Sequence, residues 1–158
     1  MLRRKFYQKM LDWKNADRGS TALLVTGARR VGKSTIVEEF ARNEYKSYIL
    51  IDFSQASKDA LRLFEDYRSD LSTFFTYISA LYGVKLYNRE SVMVFDEVQF
   101  FPQAREFVKQ LVADGRYDYI ETGSLLSIKH NVETILIPSE EQEERMYCLL
   151  YTSDAADE

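Results

Sequence analysis

The stretch from Thr21 to Arg42 constrains the fold of this chain more than any other part of it. Thr21-Ala22-Leu23-Leu24-Val25-Thr26 is a short apolar run with the character of a buried strand. Lys33 to Arg42 carries Ile36, Val37, Phe40 and Ala41 on one helical face. Between them, Gly27-Ala28-Arg29-Arg30-Val31-Gly32-Lys33-Ser34 matches G-x-x-x-x-G-K-[ST]. The glycines let the backbone curl until successive N–H groups point at one anion, and the helix adds its positive end. In such a loop Lys33 is expected to reach β- and γ-phosphates and Ser34 to ligate Mg²⁺. A chance match in a chain of this length is on the order of half a per cent. The flanking strand and helix make chance a poorer explanation still.

The rest of the chain repeats the alternation. Residues 2–15 read as an amphipathic helix on Leu2, Phe6, Met10 and Trp13. Tyr48 to Phe53 reads as a second strand, and residues 70–82 as a helix capped by Ser69 and stopped at Gly83. Val92 to Phe95 reads as a third strand. A helix beginning at Pro102 and stopping at Gly115 follows it. Tyr117 to Thr122 and Val132 to Ile137 read as the fourth and fifth strands. Strands alternating with helices predict an α/β fold with a mainly parallel sheet.

Asp96-Glu97 follows four apolar residues, which puts two carboxylates at the C-terminal edge of a buried strand, where open α/β sheets bind ligands. Asp96 is the expected Mg²⁺ partner, and Glu97 is placed to orient and deprotonate an attacking water. Thr122-Gly123-Ser124 ends the fourth strand. Either a hydroxyl there senses the γ-phosphate or holds the lytic water, or Gly123 makes a turn and the hydroxyls cap the next helix. Gln99 stands close enough in sequence to touch the same water. Arg29 and Arg30 contact nucleotide, or face a neighbouring subunit or solvent. His130 is alone in a polar loop and reads as exposed.

Composition narrows the function. The chain of 158 residues has a net charge of −4, but residues 1–46 carry 11 Lys and Arg against 5 Asp and Glu. The remaining residues carry 10 against 20. That balance excludes a wholly basic nucleic-acid binder and leaves room for a local anion site near the start. No basic–aromatic stripe appears in the sequence to support coupling to DNA. No apolar run nears the roughly 20 residues of a membrane span. No secretory signal follows the basic start, and the single cysteine makes no internal disulfide, so a cytoplasmic location is expected. The tail from Cys148 to Glu158 resembles a translated sequencing-library adaptor. It is expected to be non-native, with the native chain cut short at about Tyr147.

The segments GARRVGKST, VMVFDEVQ and YIETGSLLSI, in this order, resemble a group of prokaryotic AAA-like P-loop ATPases, over about residues 2–147. In that family a winged-helix region and a nuclease-fold-like C-terminal domain follow the ATPase core. The resemblance implies a three-layer P-loop NTPase (AAA-like) with five strands in the order 5-1-4-3-2. The chain is thus expected to divide into an N-terminal amphipathic helix over 1–18, an ATPase core over 19–147, and the adaptor-like tail over 148–158. Gly27, Ala28, Arg29, Arg30, Val31, Gly32, Lys33, Ser34 and Thr35 would bind the phosphates of ATP. Ser34 and Asp96 would serve Mg²⁺, Glu97 would be the catalytic carboxylate beside Lys33, and Thr122 or Ser124 the polar sensor. The reaction implied is Mg²⁺-dependent hydrolysis of the β–γ bond. ATP is favoured over GTP because no guanine-reading Asn/Thr-Lys-x-Asp segment occurs. A nucleotide-dependent switch with little hydrolysis and a P-loop small-molecule kinase stay open as alternatives. So do a homo-oligomer, an arginine donated by a neighbour (Arg105, Arg116 or Arg145), and a protein or nucleic-acid partner engaged through downstream domains.

Overall fold

β3 (Ser91–Asp96) is buried at every position, and the architecture is built outward from it. A strand covered on both faces must be apolar throughout, as Val92-Met93-Val94-Phe95 is. The computed structural model describes residues 2–27, 32–124 and 141–145, with the backbone alone at 2, 3, 27 and 141–145. Its further elements are α1 (Leu2–Asp17), β1 (Ala22–Gly27), α2 (Lys33–Glu44), β2 (Ser47–Asp52), α3 (Lys58–Asp66) and α4 (Leu71–Tyr82). After β3 come a 3₁₀ turn (Val98–Phe100), α5 (Pro102–Asp114), β4 (Asp118–Ser124) and β5 (Glu141–Arg145).

Four strands in the order β2-β3-β4-β1 run parallel through the core. β5 pairs in parallel with the free side of β1, Thr26 opposite Arg145. The order of the four core strands is the expected one. The segment 132–137 lies outside the described residues, and the strand beside β1 comes later in the chain. The charged sequence Glu141-Gln142-Glu143-Glu144-Arg145 carries none of the apolar signal that marks a buried strand.

Period-two alternation divides the sheet residues between two cores. Leu23, Val25, Val92, Val94 and Ile120 pack with Phe6, Met10 and Trp13 of α1 and Ile36, Val37 and Phe40 of α2. Leu24, Ile49, Ile51, Met93, Phe95 and Tyr119 pack on the other face with residues of α3, α4 and α5. The molecule is therefore three layers, helix–sheet–helix. Phe64 of α3 sits within ring-contact distance of Phe53, Phe74, Phe95, Phe101 and Phe107. Capping follows side-chain chemistry with one revision: Asp70, not Ser69, caps α4 by accepting from the Thr73 N–H at 3.2 Å. Gly83 and Gly115 end α4 and α5 in left-handed conformations, as the sequence predicts.

Candidate functional site

β1, β3 and β4 end side by side at one edge of the sheet, which brings the loop, the acidic pair and the hydroxyl segment together. α2 begins at Lys33 after Gly32, whose φ of 84° belongs to the left-handed region. A Cβ on Gly32 would meet nothing within 4 Å, so the backbone conformation and not space asks for glycine there. The N-cap of α2 is Gly32, which has no side chain with which to bond the helix start. Its first N–H groups are thus left for an anion. Lys33 is buried, with only 3% of its side chain exposed, and its Nζ lies 3.6 Å from Glu97 Oε2.

The acidic pair is held by hydroxyls on two sides. Ser34 Oγ donates to Asp96 Oδ1 at 2.7 Å. Thr122 Oγ1 donates to the same Asp96 oxygen. It also accepts the Glu97 backbone N–H at 3.0 Å. One hydroxyl therefore fixes both acidic residues, using a donor and an acceptor at once. Glu97 adopts φ 57°, a left-handed conformation rare outside glycine, and so leads β3 into the 3₁₀ turn. Gln99 Nε2 from that turn donates to Glu97 Oε1 at 2.8 Å. Burial raises the Asp96 carboxyl above its usual value, against the opposing hydrogen bonds from Thr122 and Ser34. Glu97 and Asp52 nearby push it the same way as burial.

The predicted residues thus divide. Lys33, Ser34, Asp96, Glu97 and Thr122 converge, and Gln99 touches Glu97 itself. Thr122 and Gly123 lie within β4, so Gly123 makes no turn and Thr122 caps no helix. Ser124 pairs through its backbone with Gly27 at the entry to the loop. Thr35 is exposed on α2. Ala28, Arg29, Arg30, Val31 and His130 lie outside the described residues, as does the tail from Cys148 to Glu158. Arg105 is withdrawn as an arginine donated to a neighbour: it is 1% exposed and its Nε is 3.2 Å from the buried Glu121 Oε1. Arg116 pairs with Asp114 and bonds Ser72. One neighbour escaped the sequence reading. Asp52 ends β2 directly opposite Asp96 in register, after the same kind of apolar run. Its carboxylate accepts from Ser54 and Gln55 in the following turn.

Among the described residues no three His, Cys, Asp or Glu side chains gather to hold a metal ion. Ser34 and Asp96 supply two hard oxygen donors at one point. That suits Mg²⁺, which is bound by one or two protein oxygens and completes its shell with phosphate and water.

No curated protein matches the chain. A solved structure, the Pyrococcus furiosus Hef helicase domain, aligns at a TM-score of 0.41 and 14% identity, covering 96% of this chain and 39% of that one. The chain thus spans well under half the length of that structure. The family model for the AAA domain (AAA_14) matches residues 19–149. That match takes in every strand and every candidate site residue above, and the chain belongs to the AAA domain family.

Proposed function

We propose that this chain binds ATP with Mg²⁺ and hydrolyses the β–γ bond, with a core spanning 19–147 onto which α1 is docked, and a sheet completed as 5-1-4-3-2 by β5. The observation that carries the reading is the linked set Ser34–Asp96–Thr122–Glu97, closed by Lys33 opposite Glu97. Each member has the chemistry phosphoryl transfer to water needs, and positioning supplies most of the rate in that reaction.

The helix start at Lys33 and the Lys33 ammonium hold the phosphates. Ser34 and Asp96 would hold Mg²⁺, which when bound neutralises charge on the phosphate oxygens. Glu97 orients a water and accepts its proton at a carboxylate oxygen, while Gln99 steadies the other oxygen. Thr122 acts as a positioning residue, because it touches the two acidic residues and fixes their spacing. Family membership supports nucleotide binding, and the carboxylate beside the hydroxyl-bound Asp96 favours water over another acceptor.

The test is nucleotide-dependent thermal unfolding together with product analysis. ATP with Mg²⁺ at 100 times its dissociation constant should stabilise the protein by about 2.7 kcal/mol. Lys33→Ala should lose that shift, and Glu97→Gln should keep it while releasing no phosphate. Phosphate release by Glu97→Gln at the parent rate removes Glu97 from its role. Phosphate transferred to an added acceptor instead of water removes the hydrolase reading.

A further inference from the structure

The opposite edge of the sheet, where the strands begin, carries a row of basic residues that no single stretch of sequence reveals. Every core strand is entered past a basic residue: Lys46 before β2, Arg89 before β3, Arg116 before β4 and Arg18 before β1. The strand order sets these entries in a row about 15 Å long, at about 4.8 Å per strand. Neighbouring entries are tied by backbone bonds, Lys46 N–H to the Glu90 carbonyl and Arg89 N–H to the Arg116 carbonyl.

At one end of the row Lys14, Asn15, Arg18, Arg89 and Asp118 line a cavity of about 410 Å³. Asp118 is turned inward and its charge is already used, one oxygen by Arg89 Nη2 at 2.6 Å and the other by the Tyr45 hydroxyl at 2.5 Å. Asp17 accepts from Thr21. Three cations against one committed carboxylate leave the cavity positive. The Arg89 guanidinium lies against Gly19 (φ 89°), where a Cβ would stand 2.6 Å from Nη2, and it donates to the Gly115 carbonyl at 3.0 Å. Non-glycine residues with positive φ, among those described, are Arg18, Arg89 and Glu97. Two of the three therefore line this cavity and the third belongs to the candidate catalytic pair. Uncommon backbone conformations of this kind gather at functional positions. Farther along the row Lys46 and Lys85 stand over the Tyr87 ring at 4.1 and 5.3 Å. Lys14 stands over Tyr45. Those rings are covered by ammonium groups, so the surface offers charge and not a stacking platform for bases.

We infer that the cavity of Lys14, Arg18 and Arg89 holds phosphate groups of a nucleic-acid backbone, which continues along the row past Lys46 and Lys85, on the edge of the sheet remote from Lys33. A row of cations fits a repeating anion, and the covering of Tyr45 and Tyr87 by ammonium groups predicts binding without base preference.

The probe is a labelled 20-nucleotide oligo-dT titrated into the full chain at 50 to 200 mM salt. Five phosphate contacts, three in the cavity and two along the row, give a slope of log affinity on log salt of about −3.5, so affinity should fall about 130-fold over that range. The double variant Lys14→Glu/Arg18→Glu should bind more than tenfold more weakly at 50 mM and flatten the slope by about 1.4. Arg89 is left alone because Asp118 depends on it. Lys46→Glu/Lys85→Glu, in the loops beyond, should also weaken binding and flatten the slope by about 1.4, and parent-like affinity and slope in that variant overturn the path along the row. Lys33→Ala should bind the oligonucleotide as the parent does, which separates this site from the nucleotide loop whatever becomes of the hydrolysis reading. Parent-like affinity and slope in the Lys14/Arg18 variant overturn the inference. So does a poly-glutamate peptide that competes as well as the oligonucleotide, which would make the site one for acidic peptides. A flat salt response of the parent protein overturns it without recourse to any variant.

Discussion

Thr122→Val removes one hydroxyl and keeps the shape of a β-branched side chain inside β4. Thr122 is fully buried, so water cannot replace what is lost. Two bonds disappear together: the one donated to Asp96 Oδ1 and the one accepted from the Glu97 N–H. A hydrogen bond to a charged group contributes about 1.5–3 kcal/mol, and an unpaired buried N–H costs about 1–3 kcal/mol. Asp96 keeps its bond from Ser34, which limits the loss, and about 3 kcal/mol in all is a fair expectation. In a domain of this size that lowers Tm by about 6–12 °C. Thr122→Ser keeps the hydroxyl and should lose only about 1 kcal/mol for the missing methyl. The functional consequence follows from Glu97, whose left-handed backbone is pinned by this bond. A shift of about 1 Å at a reacting group costs about 100-fold in rate. ATP turnover measured beside thermal unfolding should therefore fall about 100-fold in Thr122→Val and much less in Thr122→Ser. Thr122→Val turning over at the parent rate, though destabilised, would refute the positioning role and leave a structural strut.

Two further predictions concern buried charge. Asp96→Asn keeps an Oδ1 that can accept from both Ser34 and Thr122. The Asp96 carboxyl is raised in the folded protein by burial, so folding favours its protonated form. Its contribution is thus present below the ordinary aspartate value and is lost as pH rises through the raised one. Nucleotide-free Asp96→Asn should have the higher Tm at pH 7, with the difference closing as pH falls; a lower Tm than the parent at pH 7 would show that the buried charge is not a net cost. Arg105→Met removes the ion-pair partner of the fully buried Glu121 and should cost about 3–5 kcal/mol, whereas Arg105→Met/Glu121→Leu should recover most of it. Equal losses in denaturant unfolding of the single and double variants would refute that account.

Much of the site was legible because its parts announce themselves locally. An apolar run ending in glycine, or in Asp-Glu, states both the strand and which end of it meets solvent. Parallel pairing then needs no further information to bring Lys33, Ser34, Asp96 and Thr122 to one edge. What was not legible has physical reasons. α3 keeps Ala60, Leu61, Leu63 and Phe64 at helical spacing, but over only nine residues, and it escaped the sequence reading; its place depends on the rings around Phe64. Helices shorter than about 12 residues take their stability from tertiary contacts and not from propensity. β5 is Glu141–Arg145, five polar residues that owe their place to pairing with β1. The basic row at the opposite edge joins residues from 14 to 116, and only the strand order makes them neighbours. Arg105 read as an available cation because sequence does not show that Glu121, 16 residues on, faces it from the core.

The contact between Lys33 and Glu97 bears on how binding and chemistry would be joined. A buried ammonium needs a counter-charge, and Glu97 supplies one at 3.6 Å across a side chain 15% exposed. At that distance the pair is a loose one, so a phosphate group with several anionic oxygens is the stronger partner. On the proposed reading Lys33 exchanges Glu97 for phosphate when nucleotide arrives. The exchange leaves a Glu97 oxygen free for water, while Thr122 and Gln99 still hold the residue in place. The carboxylate is therefore occupied until a phosphate displaces it, which suits an enzyme whose general base should act only on a loaded site. The same exchange explains why Glu97→Gln is expected to keep nucleotide affinity: it removes the competitor for Lys33 and leaves the helix start, Ser34 and Asp96 intact.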